Sequence, residues 1–207
     1  MRKGQNYNHP KKGSIIRVDP IRDLSDIKQV KELLAGNPLH YCLFILGINT
    51  NLRASDLLSI RVDQVKDLAP MDEIVLREKK TGKERRVALN WGCIEAIQGL
   101  LKWGRRERWI SEDPFDEQWE YLFAGKNGVM VVPSVSLLVK GWCRRVGLKE
   151  NYGAHTLRKT WAFQQYVEFG VPIPTLMKCL NHSSEKQVLA YIGITEAEVK
   201  EVYGNEL

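Results

Sequence analysis

The chain has 207 residues, 43% hydrophobic and 27% charged, with a formal net charge of +6. That length supplies one substantial domain, or a domain with a short arm. No apolar run approaches the roughly 18 residues of a membrane span, and the basic N-terminus lacks the apolar stretch of a signal peptide, which predicts a cytoplasmic protein with no membrane partner.

The charge is unevenly placed. Residues 1–17 carry Arg2, Lys3, Lys11, Lys12 and Arg17 and no acid. Residues 1–20 therefore read as a basic arm suited to phosphates along a nucleic acid. A solvated terminus fits the same composition. The cysteines Cys42, Cys93, Cys143 and Cys179 are far apart and form no C-x-x-C pair. Reduced cysteines are expected, and no metal site.

In chain order, Ser25 is a candidate N-cap for a helix with Ile27, Val30, Leu33 and Leu34 at helical spacing, stopped by Gly36. A second helix is predicted over about 39–48, and Asn49-Thr50-Asn51 is a turn. A third carries Arg53, Leu57, Leu58 and Ile60. Residues 73–78 and 85–89 alternate as short strands around Lys80-Thr81-Gly82-Lys83, which predicts a β-hairpin with a basic tip. Residues 91–103 are helical, with Ile94, Ile97, Leu100 and Leu101 on one face. Residues 105–119 read as irregular, Tyr121-Leu122-Phe123 as a strand and Lys126-Asn127-Gly128 as a turn. Further helices are predicted at 134–145 and at about 155–169, 172–180, 184–192 and 195–202. The fold class is mainly α with a small antiparallel β-sheet (α+β), in one domain over 21–207.

Certain polar residues sit in suggestive contexts. His155 and Arg158 are three apart on a predicted helix and share a face. With Arg53 they can hold the non-bridging oxygens of one phosphate, because a guanidinium donates two parallel hydrogen bonds and stays charged. Arg53 opens a helix, where the dipole mildly opposes a cation, so an anionic partner is implied. Asp56 is placed to orient it. Lys80 lies at the hairpin tip among Lys79, Lys83, Arg85 and Arg86. His182 follows Asn181, a residue suited to a left-handed C-cap. Tyr191 lies on the next helix. A phenol is a useful nucleophile when cations stabilise its oxyanion and a base takes its proton. Read singly, each of these residues also fits a surface or structural role.

Together they resemble the tyrosine recombinase (phage integrase) family. "TNLRASDLLSI" is similar to its first arginine box and "KKTGKERRVAL" to the hairpin bearing its lysine. "HTLRKTWAFQQYVEFGVPIPTLMKCLNHSSEKQVLAYI" is similar to the second box, H-x-L-R-H-T … L-G-H-S-S … Y. The resemblance covers about residues 22–193 and implies a tyrosine recombinase catalytic-domain-like fold. It implies that Arg53 and Arg158 clamp the scissile phosphate, that His155 assists proton transfer and that His182 donates to the phosphate. By the same resemblance Lys80 is the general acid, Tyr191 forms a 3′-phosphotyrosine, and Asp56 supports the site. No metal, ATP or other cofactor is expected. Double-stranded DNA is the implied partner, contacted by Arg2, Lys3, Lys11, Lys12, Arg17, Lys79 and Lys83. Self-association as a tetramer on DNA, accessory DNA-bending proteins and a nucleoid-associated location are also implied. Residues 195–207 become a candidate protomer-packing tail.

The sequence departs from the family pattern in three places. Asn51 and Asn181 stand where glycines are usual, Lys159 replaces a frequent histidine, and only about 20 residues precede the catalytic part. The leading expectation is a site-specific recombinase or integrase. The alternatives are a DNA-binding regulator or degenerate integrase remnant of the same fold, and a type IB-like topoisomerase. Tyr203 is a second tyrosine near the end, without the spacing from His182 that Tyr191 has.

Overall fold

The structure, a computed structural model, describes residues 17–106, 120–125, 128–194 and 200–206. Its helices are α1 (Leu24–Leu34), α2 (Pro38–Asn49), α3 (Ala54–Leu57), α4 (Trp91–Arg106), α5 (Val132–Arg145), α6 (Ala154–Val167), α7 (Ile173–Leu180) and α8 (Glu185–Ile192). Strands β1 (Glu73–Arg77) and β2 (Glu84–Ala88) form an antiparallel hairpin, with Glu73 opposite Ala88 and Arg77 opposite Glu84. A second, shorter pair joins β3 (Ala124–Gly125) to β4 (Gly128–Val129).

Helix α2 is the hub. It is apolar all round, as a helix enclosed by protein must be, and it packs against α1, α4 and α6. Cys42, Leu43, Phe44 and Leu46 are wholly enclosed. Its approach to α6 is close enough that a Cβ on Gly47 would stand 2.5 Å from Leu157 Cδ1. A smaller apolar cluster (Ala162, Phe163, Leu176, Leu180, Val188 and Ile192) joins the far face of α6 to α7 and α8. Helix α6 thus belongs to both cores, which fixes the element that bears His155 and Arg158.

Several sequence expectations are corrected. The N-cap of α1 is Asp23, not Ser25; its carbonyl already accepts from the N–H groups of Asp26 and Ile27. The third helix is a single turn that Arg53 precedes as N-cap. It ends early because Ile60 and Val62 pair with another segment: Leu122 N–H donates to Ile60 O at 2.8 Å and Val62 N–H to Glu120 O at 3.1 Å. Tyr121-Leu122-Phe123 is not a strand; Tyr121 makes one bridge to Arg61, and the strand starts at Ala124. Arg105 and Arg106 finish α4. The rest of the predicted irregular segment (107–119), Lys126 and Asn127 of the predicted turn, and 195–199 of the last predicted helix lie outside the described residues. Residues 200–202 are helical.

Both asparagines expected in turns hold left-handed backbone, with φ of 54° at Asn51 and 56° at Asn181. At the end of α7, His182 N–H donates to Met177 O at 3.0 Å, closing the helix by a bond that reaches back five residues. Ser184 then caps α8 by accepting from Gln187 N–H. The chain reverses sharply between α7 and α8, and His182 sits in the reversal.

Residues 17–22 run as an extended strap along α6. Asn151 Nδ2 donates to Arg17 O, Asp19 N–H to Asn151 O at 2.8 Å, and Ile21 N–H to the Thr160 hydroxyl at 2.8 Å. Gln164 Nε2 donates to the carbonyls of both Ile21 and Arg22. The Arg22 guanidinium lies 4.8 Å over the Phe163 ring and donates to Gly193 O, at the C-terminus of α8.

Candidate active site

Arg53, His155, Arg158, His182 and Tyr191 converge from the turn before α3, from α6, from the α7–α8 reversal and from α8. Thr156 shapes the entry to α6 by accepting from Gly153 N–H at 3.0 Å, while Ser136 on α5 accepts from Ala154 N–H at 3.0 Å. His155 therefore stands exposed on the first turn, and Arg158, one turn on, is buried. Arg158 Nη2 donates to Leu180 O at 2.9 Å, which ties α6 to the end of α7. The rings of His182 and Tyr191 meet edge to face with centroids 5.1 Å apart.

Two nitrogens at this site are buried without a hydrogen-bond partner, Arg158 Nε and His182 Nδ1, while Arg53 Nη1 faces the Glu78 carboxylate. Buried polar atoms in folded proteins are nearly always satisfied. Two such orphans beside one phenol mark a place where an acceptor belongs.

The electrostatics agree. Loss of hydration lowers the Arg158 pKa to about 10, with Tyr191 opposing the shift and Arg53 and Arg85 adding to it. The guanidinium remains charged at neutral pH. Burial pushes the Tyr191 phenol above its usual value, while Arg158 and Arg53 pull it back. His155 is lowered by desolvation first, then by Arg158, Arg53, Lys80 and Lys159. His182 is lowered by burial and then by Arg158 and Arg53. Both imidazoles are thus neutral at pH 7, one able to take a proton and the other to donate a hydrogen bond.

Lys80 projects exposed from the hairpin tip, near enough for its charge to act on His155. Asp56 is buried; Oδ1 accepts from Lys79 N–H at 2.9 Å, and Oδ2 lies 3.8 Å from Arg53 Nη1. It holds the hairpin tip against the arginine turn. Lys79 meets the site through its backbone, its side chain being exposed. Lys83 lines a separate polar groove of about 470 Å³ with Arg85, Arg86, Trp161 and Lys178. Arg17 opens onto Tyr191: with Val18, His155, Lys159, His182 and Tyr191 it lines a hollow of about 370 Å³. Arg2, Lys3, Lys11 and Lys12 lie outside the described residues.

Sequence reasoning missed Glu78. It is only 4% exposed, and its carboxylate lies 2.9 Å from Arg53 Nη1 and 3.0 Å from Arg85 Nη1 and accepts from the Thr81 hydroxyl at 2.7 Å. Burial works to raise its pKa, but the hydrogen bonds from Thr81, Arg85 and Arg53 prevail and hold it at about 2. A readable signal existed. Ile74 and Leu76 face inward on β1, and the two-residue period places Glu78 on the same side. Lys159, one of the departures from the family pattern, also reaches the site; its Nζ lies 5.5 Å from the centroid of the Tyr191 ring.

The fold and site together place buried, unpaired donors beside a phenol. The sequence model of the phage integrase family matches residues 24–198, and the chain belongs to that family, the tyrosine recombinases. It is 34% identical over 189 residues to the probable integrase/recombinase YoeC of Bacillus subtilis (strain 168), across 90% of this chain and 95% of YoeC. It is 31% identical over 163 residues to the tyrosine recombinase XerC of Caldanaerobacter subterraneus subsp. tengcongensis, across 78% of this chain but 43% of XerC. The chain therefore spans less than half of that relative. Among solved structures, XerA recombinase superposes with a TM-score of 0.70 at 20% identity, over 91% of this chain and 66% of XerA. XerH recombinase bound to palindromic difH in a post-cleavage complex superposes at 0.68 with 19% identity, over 88% of this chain and 51% of XerH. The shared fold is that of tyrosine recombinase catalytic domains.

Proposed function

We propose that this protein cleaves and rejoins duplex DNA at a specific site through a phosphotyrosine at Tyr191. The observation that carries the reading is the pair of orphaned donors, Arg158 Nε and His182 Nδ1, gathered with the Arg53 guanidinium around one phenol. A phosphodiester supplies the acceptors they lack, and in a water-poor site such donors stabilise the charge of the transition state. Double-stranded DNA as substrate is supported by DNA complexes of XerH, the Tn1549 transposon integrase and lambda integrase on the same fold.

In this mechanism Arg53 and Arg158 bind the non-bridging oxygens. The Tyr191 oxygen attacks phosphorus as its proton passes to His155. The bond from phosphorus to the 5′-oxygen breaks, and Lys80 gives that oxygen a proton. His182 donates to the phosphoryl group throughout. One phosphoester replaces another, so a 5′-hydroxyl can reverse the step and seal a strand without outside energy. The basic residues at 1–17 and on the hairpin track flanking phosphates, and protomers assemble on DNA to exchange strands.

The test is a suicide duplex, nicked next to the cleavage point and built from sequence flanking the gene. A slow-migrating covalent complex on a denaturing gel, absent in Tyr191→Phe, is the expected result. A complex that persists in Tyr191→Phe overturns the nucleophile. Specific binding of the same DNA without a complex overturns the enzyme reading in favour of a DNA-binding protein.

A further inference from the structure

Glu78 has no part in the chemistry just described, yet it is the most tightly held acid near the site. A buried carboxylate costs several kcal/mol unless it is fully paired. Here it is paired three ways, and each partner leads to a different part of the machinery. Arg53 is the first phosphate clamp. Thr81 belongs to the tip that presents Lys80. Arg85, on β2, continues from Glu78 to α7, donating from Nη2 to Cys179 O at 3.0 Å. Asn51 Nδ2 donates to that same carbonyl at 2.8 Å, and Arg158 is bonded to the next carbonyl, that of Leu180. His182 follows two residues on. The Glu78 backbone closes the tip as well: its N–H donates to Lys83 O at 2.9 Å, and its carbonyl accepts from Gly82 N–H at 2.8 Å.

We infer that Glu78 is a positioning residue, a latch that holds the Lys80 hairpin in register with Arg53 and with the turn that bears His182. A two-stranded hairpin is marginal by itself, and Lys80 lies at its exposed end. Without an anchor the ammonium wanders over several ångströms, whereas general-acid transfer needs it within about 3 Å of the leaving oxygen. Asp56 holds the backbone at Lys79; Glu78 holds the opposite side through side chains. The latch also sets a charge balance. One carboxylate between Arg53 and Arg85 leaves Arg53 oriented and the group with a net positive charge for phosphate.

This inference rests on the proposed recombinase chemistry and is separable from it by the choice of leaving group. In a duplex whose scissile 5′-oxygen is replaced by sulfur, the departing thiolate needs no proton, since thiols have a pKa near 8.5. A defect that acts through Lys80 disappears on that substrate; a defect in the phosphate clamp persists. On ordinary DNA, Glu78→Gln should slow covalent-complex formation about 10- to 100-fold, with duplex affinity equal to or tighter than wild type. On the sulfur duplex the loss should shrink to about threefold or less, as it should for Lys80→Ala. Arg53→Ala should stay slow on both. Glu78→Gln added to Lys80→Ala should cost little more, and Glu78→Asp should recover part of the rate. Arg85→Met, which cuts the same chain one link further on, should repeat the pattern if Glu78→Gln is too unstable to purify. Equal losses on both substrates, or no loss on either, overturn the latch while leaving the recombinase reading intact. Failure of the wild type to form any adduct at Tyr191 overturns that reading and the latch with it.

Discussion

Arg158 and Leu180 are 22 residues apart in sequence, yet Nη2 of the first donates to the carbonyl of the second at 2.9 Å. The bond occupies one edge of the guanidinium and leaves Nε, buried and unpaired, directed elsewhere. One arginine thus ties α6 to α7 and reserves a donor for an anion. Lysine cannot do both, because its ammonium is a single point charge without a rigid fork. Arg158→Lys should retain the charge and most DNA affinity. It should lose about 10²-fold or more in covalent-complex formation, in line with removal of one transition-state donor. Single-turnover rates at saturating DNA measure this directly.

The imidazoles set the acid side of the pH profile. His155 is lowered below its ordinary value of 6.5, so it is neutral and able to accept the Tyr191 proton over the physiological range. As pH falls through its depressed pKa it becomes protonated and the rate drops. The acid limb should therefore have a midpoint below 6.5. His155→Gln should abolish that limb and lower the plateau by about 10²-fold, the scale of general-base catalysis. His182 is also lowered, but its protonated form still donates to phosphate. His182→Gln should leave the limb in place at a reduced plateau.

Asn51 and Asn181 have nearly the same left-handed backbone and different duties. Asn181 is exposed at the end of α7, and its value is conformational. Asn51 is buried, and its amide donates to Cys179 O across 128 residues of chain. Asn181→Gly should change unfolding free energy by less than about 0.5 kcal/mol, because glycine accepts positive φ freely. Asn51→Gly accepts the same φ but loses a buried hydrogen bond, worth about 1 kcal/mol. Urea midpoints for the two variants should differ accordingly.

These asparagines also mark how far the sequence could be read. Their left-handed turns were legible because asparagine tolerates that conformation locally. So were α4 and the hairpin, through their periodicity, and α2, through its unbroken apolar run, all of them local properties. The side-chain bond from Asn51 was not, since its acceptor lies 128 residues away, inside the second box. The short α3 was hidden for the same reason: Leu57, Leu58 and Ile60 have helical spacing, but pairing of Ile60 and Val62 with residues 120–122 draws the backbone out of the helix. The path of the strap at 17–22 was hidden too, because its anchors Thr160 and Gln164 sit about 140 residues away. Glu78 stood between these cases. Its inward register could be read, but the arginines that make burial tolerable come together only in the folded hairpin.

Gly47 tests how strictly the core fixes the site. A methyl group there would meet Leu157 Cδ1 at 2.5 Å and Cβ at 3.0 Å, and the Cβ cannot swing away as a side-chain end can. Gly47→Ala should push α2 and α6 apart, costing about 1–3 kcal/mol as overpacked cores do. Leu157 adjoins Arg158, so cleavage should fall along with stability. Thermal unfolding and single-turnover cleavage on one preparation should show both losses. Full stability with reduced cleavage would mean that α6 shifts without strain.

In the proposed function the basic arm bears on affinity rather than chemistry. Arg2, Lys3, Lys11 and Lys12 lead into Arg17, whose backbone is pinned by Asn151 beside the hollow that contains Tyr191. The proposed function has the arm's cations neutralise phosphates flanking the cleavage site. Each one that neutralises a phosphate adds about −0.9 to the slope of log K against log salt concentration. Deleting residues 1–16, which leaves Arg17 and the strap in place, should make that slope shallower by about one unit for every phosphate that is no longer neutralised. It should weaken binding most at low salt and leave the cleavage rate of saturated DNA nearly unchanged. A titration between about 50 and 200 mM salt tests this. An unaltered slope would remove the arm from the DNA interface.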